Sequence, residues 1–267
     1  MTTRLHGVGV LLLCLTMGRL SAAEPAAAPP PAQRLWEQGQ QAMRDGRTDE
    51  AVRCYEQSLA LDPALVNNHL SLAAACLDKG DDQGAAPHLA RYLTAKPDHF
   101  AVRAHYAELL LRLHDYPAAR RQYERFDADV QEHEDAAKDE LVHCHSRLME
   151  IAEKEDDDYA AHLHRGIGLY LLADRRGPSP DDDDEMSAES LLCKAAGELT
   201  LARRERPEEA RPYWYLFAVW SHLAQRQPAA RWLRAADSAA AFSYLTPTER
   251  RGLQLAVRDL EAEARRK

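Results

Sequence analysis

The chain has 267 residues, 45% of them apolar, and a formal net charge of −9. That length supports a substantial core but not several independent domains. An acidic surface repels phosphate backbones, which excludes nucleic acid as a natural partner. Five cysteines with no CxxC spacing exclude both a disulfide framework and a CxxC redox centre.

At the N-terminus, Arg4 and His6 precede an apolar run over 8–17, and Ser21-Ala22-Ala23 supplies small residues where a signal peptidase needs them. This order predicts a secretory signal over 1–23, cut after Ala23. The run is shorter than the about 20 residues a membrane span requires, so no stable span is expected after cleavage. Leu13 is too large to precede a lipidated cysteine, which argues against modification of Cys14. Losing Arg4 and Arg19 with the leader takes the net charge to −11. The expected location is secreted or periplasmic, and a Pro/Ala-rich linker follows over 24–33.

Beyond the linker the sequence repeats. Gly46, Ala51 and Pro63 recur as Gly80, Ala85 and Pro97, each 34 residues on. The unit reads as a helix, a glycine turn, a second helix and a stopping proline. Leu35, Gly39 and Ala42 share one face of the first helix, and Ala51, Tyr55 and Ser58 share one face of the second. Small residues at Gly39 and Ala51 let two backbones approach, and Tyr55 fills the space beside them. Such a pair cannot bury its apolar face alone and must stack on the next pair. Leu72, Ala73 and Leu89 continue the pattern, as do Tyr106, Ala107, Leu110, Ala119 and Tyr123, although His114 stands where the turn glycine belongs. The frame returns with Ala195, Leu199, Ala202 and Pro207, then Leu216, Trp220, Ala229, Leu233 and Ala236.

This spacing resembles the tetratricopeptide repeat, a 34-residue unit with W-x2-L-G-x2-Y in its first helix and A-x3-F, A and P in its second. The resemblance implies an all-α, right-handed α-solenoid of repeats over 34–127 and divergent repeats over 158–245. From Ala119 to Ala195 is 76 residues, eight more than two periods, which predicts an extra helical segment over 128–157. An acidic loop over 177–187 interrupts the divergent repeats. Thr246-Pro247-Thr248-Glu249 reads as a capping box opening a final helix over 246–267, whose single apolar face suits an end-cap. No stretch has the two-residue alternation of strands.

Chemistry is harder to find. His143-Cys144-His145 and His162-x-His164 are the densest groups of potential metal ligands. Residues two apart on a helix diverge by about 200°, so neither group chelates from one face. Histidines at the polar edges of helix packing are the plainer expectation; the alternative is a metal-dependent enzyme using the His-rich region 143–164. No cofactor or metal site is expected, and the run 181–185 lacks the alternating ligands and glycine of a Ca²⁺ loop. The family resemblance instead implies a non-catalytic protein- or peptide-binding scaffold of the cell envelope. Its groove-facing positions fall on Trp36, Gln40, Leu70, Leu77, Glu108, Leu111, Arg112, Arg211 and Trp214. The carboxylate clamp of some relatives is missing, because Trp36, Gln40, Ser71, Ala101 and His105 occupy its places. The leader yields a direct test: N-terminal sequencing of the exported protein should begin at Glu24, and an intact Met1 in the cytoplasm would refute export.

Overall fold

A computed structural model describes residues 29–130, 138–176 and 187–266; the expected leader and all but the end of the acidic loop lie outside them. Among the described residues there are twelve helices and no strand. In chain order these are α1 Pro31–Arg44, α2 Thr48–Leu61, α3 Asn67–Asp78, α4 Asp82–Ala95, α5 Phe100–Arg112 and α6 Tyr116–Val130. The second half comprises α7 Lys138–Lys154, α8 Asp158–Arg176, α9 Ala188–Glu205, α10 Ala210–His222, α11 Arg226–Ala239 and α12 Pro247–Arg266. α1 starts at Pro31, inside the segment read as linker, because proline suits the first helical turn, where its missing N–H has no partner to lose.

Each helix packs chiefly on its neighbours in sequence, so the protein is a solenoid of stacked helix pairs. The repeated alanines explain the stacking. Ala51, Ala85, Ala119 and Ala195 are fully buried, and Ala229 nearly so. Close approach is real at Gly39, where an added Cβ would lie 2.5 Å from the Tyr55 ring. It recurs at Gly166 on α8, where a Cβ would meet Leu199 of α9 at 2.7 Å.

The turns show how the period survives sequence change. Gly46 (φ 72°) and Gly80 (φ 73°) take the left-handed conformation that ends a helix, and His114 (φ 58°) takes it without being glycine. Each is followed by the same backbone bond: Arg47 N to Ala42 O, Asp81 N to Cys76 O and Asp115 N to Leu110 O, at 2.8–2.9 Å. Asp156 (φ 54°) and Ala224 (φ 53°) repeat this geometry, with Asp157 N to Ala152 O and Gln225 N to Trp220 O, both 2.9 Å.

The turn from α7 to α8 is therefore a first-helix-to-second-helix turn, and Ala161 stands in it where Ala51 and Ala85 stand in theirs. Yet α8 also packs intimately on α9, which ends before Pro207 as a second helix should. Three helices thus separate α6 from α10, and α8 serves as second helix to α7 and first helix to α9.

The terminal helix opens as its sequence implies. Glu249 N donates to Thr246 Oγ1 (3.2 Å), and Thr246 N donates back to Glu249 Oε2 (2.8 Å). Leu253, with Ala256, Val257 and Leu260, closes the cluster formed by Ala210, Leu233 and Ala236. The packing makes Ala85→Leu overfull by three heavy atoms at a closed helix crossing. It should cost about 1–3 kcal/mol, read as a lower thermal midpoint by circular dichroism; an unchanged midpoint would contradict the crossing.

Candidate functional site

The most unusual interior feature is polar. Asp127 near the end of α6, His145 on α7, His164 on α8, Arg211 at the start of α10 and Glu249 on α12 are all buried. Arg211 donates to Asp127 Oδ2 (2.9 Å) and, through Nε and Nη2, to Glu249 Oε1 (3.0 and 2.7 Å). His145 Nε2 lies 3.3 Å from Asp127 Oδ1. The His145 and His164 rings stack with centroids 5.2 Å apart and Nδ1 atoms 3.0 Å apart. The network joins five helices and spans 84 residues between Asp127 and Arg211.

Asp127 is acceptor-only, and the His145 ring and the Arg211 guanidinium both face it. Burial disfavours the His164 cation first, and His145 and Arg211 add to this, holding its pKa well below the ordinary histidine value. Asp127 shows the opposite balance: burial raises its carboxyl, but His145 and Arg211 outweigh this and hold it well below the ordinary carboxylate range. Burial likewise disfavours the Arg211 cation, yet Glu249 and Asp127 keep it firmly charged.

Above this network lies a cleft of about 530 Å³, lined by α6 from Arg120 to Ala128, the start of α8, the α9–α10 turn and Tyr244. Most of its guanidinium groups are satisfied by protein. Arg120 pairs with Glu155 and Asp157, and Arg206 pairs with Asp157 (3.0 Å) while lying 4.4 Å from the centre of the Tyr159 ring. Arg125 pairs with Asp129 at 2.7 Å. The loop between α11 and α12 exposes Phe242 (92%) and Tyr244 (59%), and Tyr244 lines the cleft. Ser243 fixes that loop by accepting the Ala210 N–H at 2.7 Å.

The sequence-derived groove residues are distributed differently. Trp36 is half-buried, and its Nε1 donates to Ser71 Oγ at 3.0 Å. Trp36, Leu70 and Leu111 pack against three separate core clusters, and Trp214 packs in a fourth. The Trp214 indole faces α12, where a Cβ on Gly252 would lie 3.0 Å from it. Gln40 is half-buried and Leu77 is exposed. Arg112 is exposed and binds Asp82 with two bonds, at 2.7 and 2.9 Å. Glu108 accepts bonds from Tyr123 Oη, His143 Nε2 and Arg147 Nε at 2.8–2.9 Å. Burial raises the Glu108 carboxyl, but these donors prevail and hold it below the usual range.

Arg211, expected in the groove, is instead buried, because Asp127 and Glu249 close on it from either side. The histidines also depart from expectation: His145 and His164 form a core pair, not an edge. His143 and His162 each pair with a glutamate, Glu108 and Glu198. Asp127 and His164 approach His145 from opposite ring nitrogens, so the three do not converge. No group of three potential ligands among the described residues could hold a metal ion.

With this geometry in view, comparison with known proteins is specific in one place. Residues 32–65, which are α1, α2 and the turn after them, match the family described as tetratricopeptide repeat. The chain carries a tetratricopeptide repeat. Solved structures similar to this chain include that of MamA, 14% identical over 78% of this chain and 91% of that one, with a TM-score of 0.40. YrrB, described as a TPR protein with an unusual peptide-binding site, is 14% identical over 79% and 87%, with a TM-score of 0.34. PilW, a type IV pilus biogenesis factor, is 16% identical over 86% and 100%, with a TM-score of 0.37. No curated protein matches the chain.

The buried pair has a pH consequence. An unfolded histidine takes up a proton near pH 6.5, whereas folded His164 resists it, so acidification favours unfolding. Stability from this group is complete above about pH 7 and falls as pH drops below 6.5. His69 and His88, also held low by burial, contribute with the same sign. Asp127 adds a loss only below the ordinary aspartate pKa of 3.8. Between pH 7.5 and 5.5 the melting temperature should fall by several degrees, since about 1 kcal/mol is worth ~2–4 °C at this size. His164→Gln should flatten that slope; an unchanged slope would remove His164 as its source.

Proposed function

We propose that the chain is a non-catalytic scaffold module of the cell envelope that binds a protein or peptide partner. One observation carries the reading: in a repeat-built stack of helices, α6, α8 and the start of α10 line a cleft of about 530 Å³, with exposed Tyr244 at its edge and exposed Phe242 in the same loop. Concave sites of this size that combine polar groups with aromatic anchors suit a segment of another chain. The match of residues 32–65 to the tetratricopeptide repeat supports an interaction role, and the leader-like order of residues 1–23 supports the envelope. Leu77 and Arg112, exposed on α3 and α5, belong to the proposed footprint, with Gln40 and Glu108 beside them. Trp36, Leu70, Leu111 and Trp214 support it from beneath.

Against the catalytic alternative, His145 and His164 bond each other, and His143 and His162 pair with Glu108 and Glu198. Affinity capture from the native envelope fraction, followed by titration of the identified and purified partner, tests the module. Phe242→Ser with Tyr244→Ser should weaken that partner at least about tenfold, as interface aromatics do, without moving the melting temperature. Failure to retain any partner, or an affinity untouched by the rim substitutions, would overturn this assignment.

A further inference from the structure

A second, smaller recess of about 270 Å³ lies beside α1. It is lined by Gln33 and Trp36 of α1, Leu65 and Val66 of the α2–α3 connection, Asn68 of α3 and Lys96 after α4. Trp36, Leu65 and Val66 supply its apolar walls, and the Trp36 ring is held by its Nε1 bond to Ser71. One water takes about 30 Å³ of liquid, so a single water does not fill this space.

Asn68 leaves one polar atom here without a partner. The residue is fully buried. Ser58 Oγ spends its only proton on Ala32 O (2.6 Å), so toward Asn68 it must accept, and the atom facing it at 2.8 Å is the donor Nδ2. That bond fixes which way the amide points. The remaining atom, Asn68 Oδ1, is an acceptor that no hydrogen bond reaches among the described residues. Asn68 lines the recess and Ser58 does not, so the amide turns its nitrogen to the core and its oxygen to the recess. A buried acceptor without a donor is a standing cost, which a donor entering the recess removes.

The donor's chemistry follows from its surroundings. Protein partners anchor most often through arginine, tyrosine and tryptophan. Lys96 opposes the cation of arginine, and an anion has nothing to offer a lone acceptor. An aromatic ring tipped by an uncharged donor satisfies both the apolar walls and Asn68. In tyrosine the O–H lies beyond the far end of the ring, where it reaches a buried floor; the indole N–H leaves from the side. No tyrosine or tryptophan occurs in 1–28, 131–137 or 177–186, so these segments cannot supply the group.

We propose that this recess receives a tyrosine side chain of the protein partner, its ring beside Trp36 and its phenolic O–H donated to Asn68 Oδ1. This rests on the binding-module reading and specifies one of its contacts.

The test uses the full chain and three capped pentapeptides, Ala-Ala-X-Ala-Ala, in which X is tyrosine, its isostere phenylalanine, or arginine. Binding is read from the Trp36 Nε1–H and Asn68 side-chain amide signals by nuclear magnetic resonance. The tyrosine peptide should shift both saturably. The phenylalanine peptide should bind about tenfold more weakly, the worth of the one hydrogen bond it lacks. Asn68→Leu should erase the preference for tyrosine with the melting temperature little changed, because it removes the unmet acceptor together with the bond to Ser58. The peptide comparison on the unmodified chain stands even if that variant fails to fold. Equal binding of tyrosine and phenylalanine, tighter binding of arginine, or no saturable shift would each overturn the proposal. The captured envelope partner separates the two levels. If it binds wild type and Asn68→Leu equally, the tyrosine assignment fails and the module stands. If nothing is captured, the module itself fails.

Discussion

The ion pair between Asp127 and Arg211 is the constraint on which the rest of the arrangement depends. A solenoid holds itself together through neighbours in sequence, and nothing in its repeat demands contact between residues 84 apart. Here the end of α6 and the start of α10 are tied by charges that are both buried, and Glu249 ties α12 to the same guanidinium. A buried pair adds little net stability over a well-packed apolar replacement, because desolvation consumes most of the Coulombic gain. Its effect is to forbid alternatives: separating the partners leaves bare charge in the interior, at about 3–5 kcal/mol. The pair therefore fixes the position of α10 relative to α6 more than it adds stability.

The same network underlies the cleft. Asp127 lies beside His145, His145 stacks on His164, and His164 lines the cleft. The floor of the cleft therefore cannot rearrange without exposing buried charge. The capping box of α12 is drawn into this logic. Glu249 uses Oε2 to close the box on Thr246 and Oε1 to hold Arg211. A local signal for a helix start is thus also a long-range anchor.

What the sequence made legible follows this division between local and distant. The alanines at 51, 85, 119, 195 and 229 could be found because a crossing of two backbones admits little else, and the constraint recurs every 34 residues where the repeat is intact. Gly46 and Gly80 were legible for a similar reason, since a left-handed turn favours glycine. The frame blurred at His114, Asp156 and Ala224, where other residues adopt the same turn, a strain of about 1 kcal/mol that surrounding packing absorbs. The equivalence of the α7–α8 turn was hidden by that substitution together with the eight-residue excess before it. Arg211 was assigned to the groove by its place in the repeat, because no period announces a partner on α6. His145 and His164 were read as edge residues for the same reason: their burial depends on helices that the repeat does not relate.

The irregularity that obscured the frame also builds the site. In an unbroken array every second helix faces outward from its own pair, and α6 would meet only α5 and α7. Because α8 closes one pair and opens the next, one helix is shared where two would stand, and α10 follows α6 after three helices. The α9–α10 turn, with Arg206 and Glu209, lines one cleft with α6 and Tyr159. The buried pair of Asp127 and Arg211 ties α6 to α10 beneath it. A regular repeat supplies the scaffold, and the shared helix α8 supplies one wall of the cleft beside it.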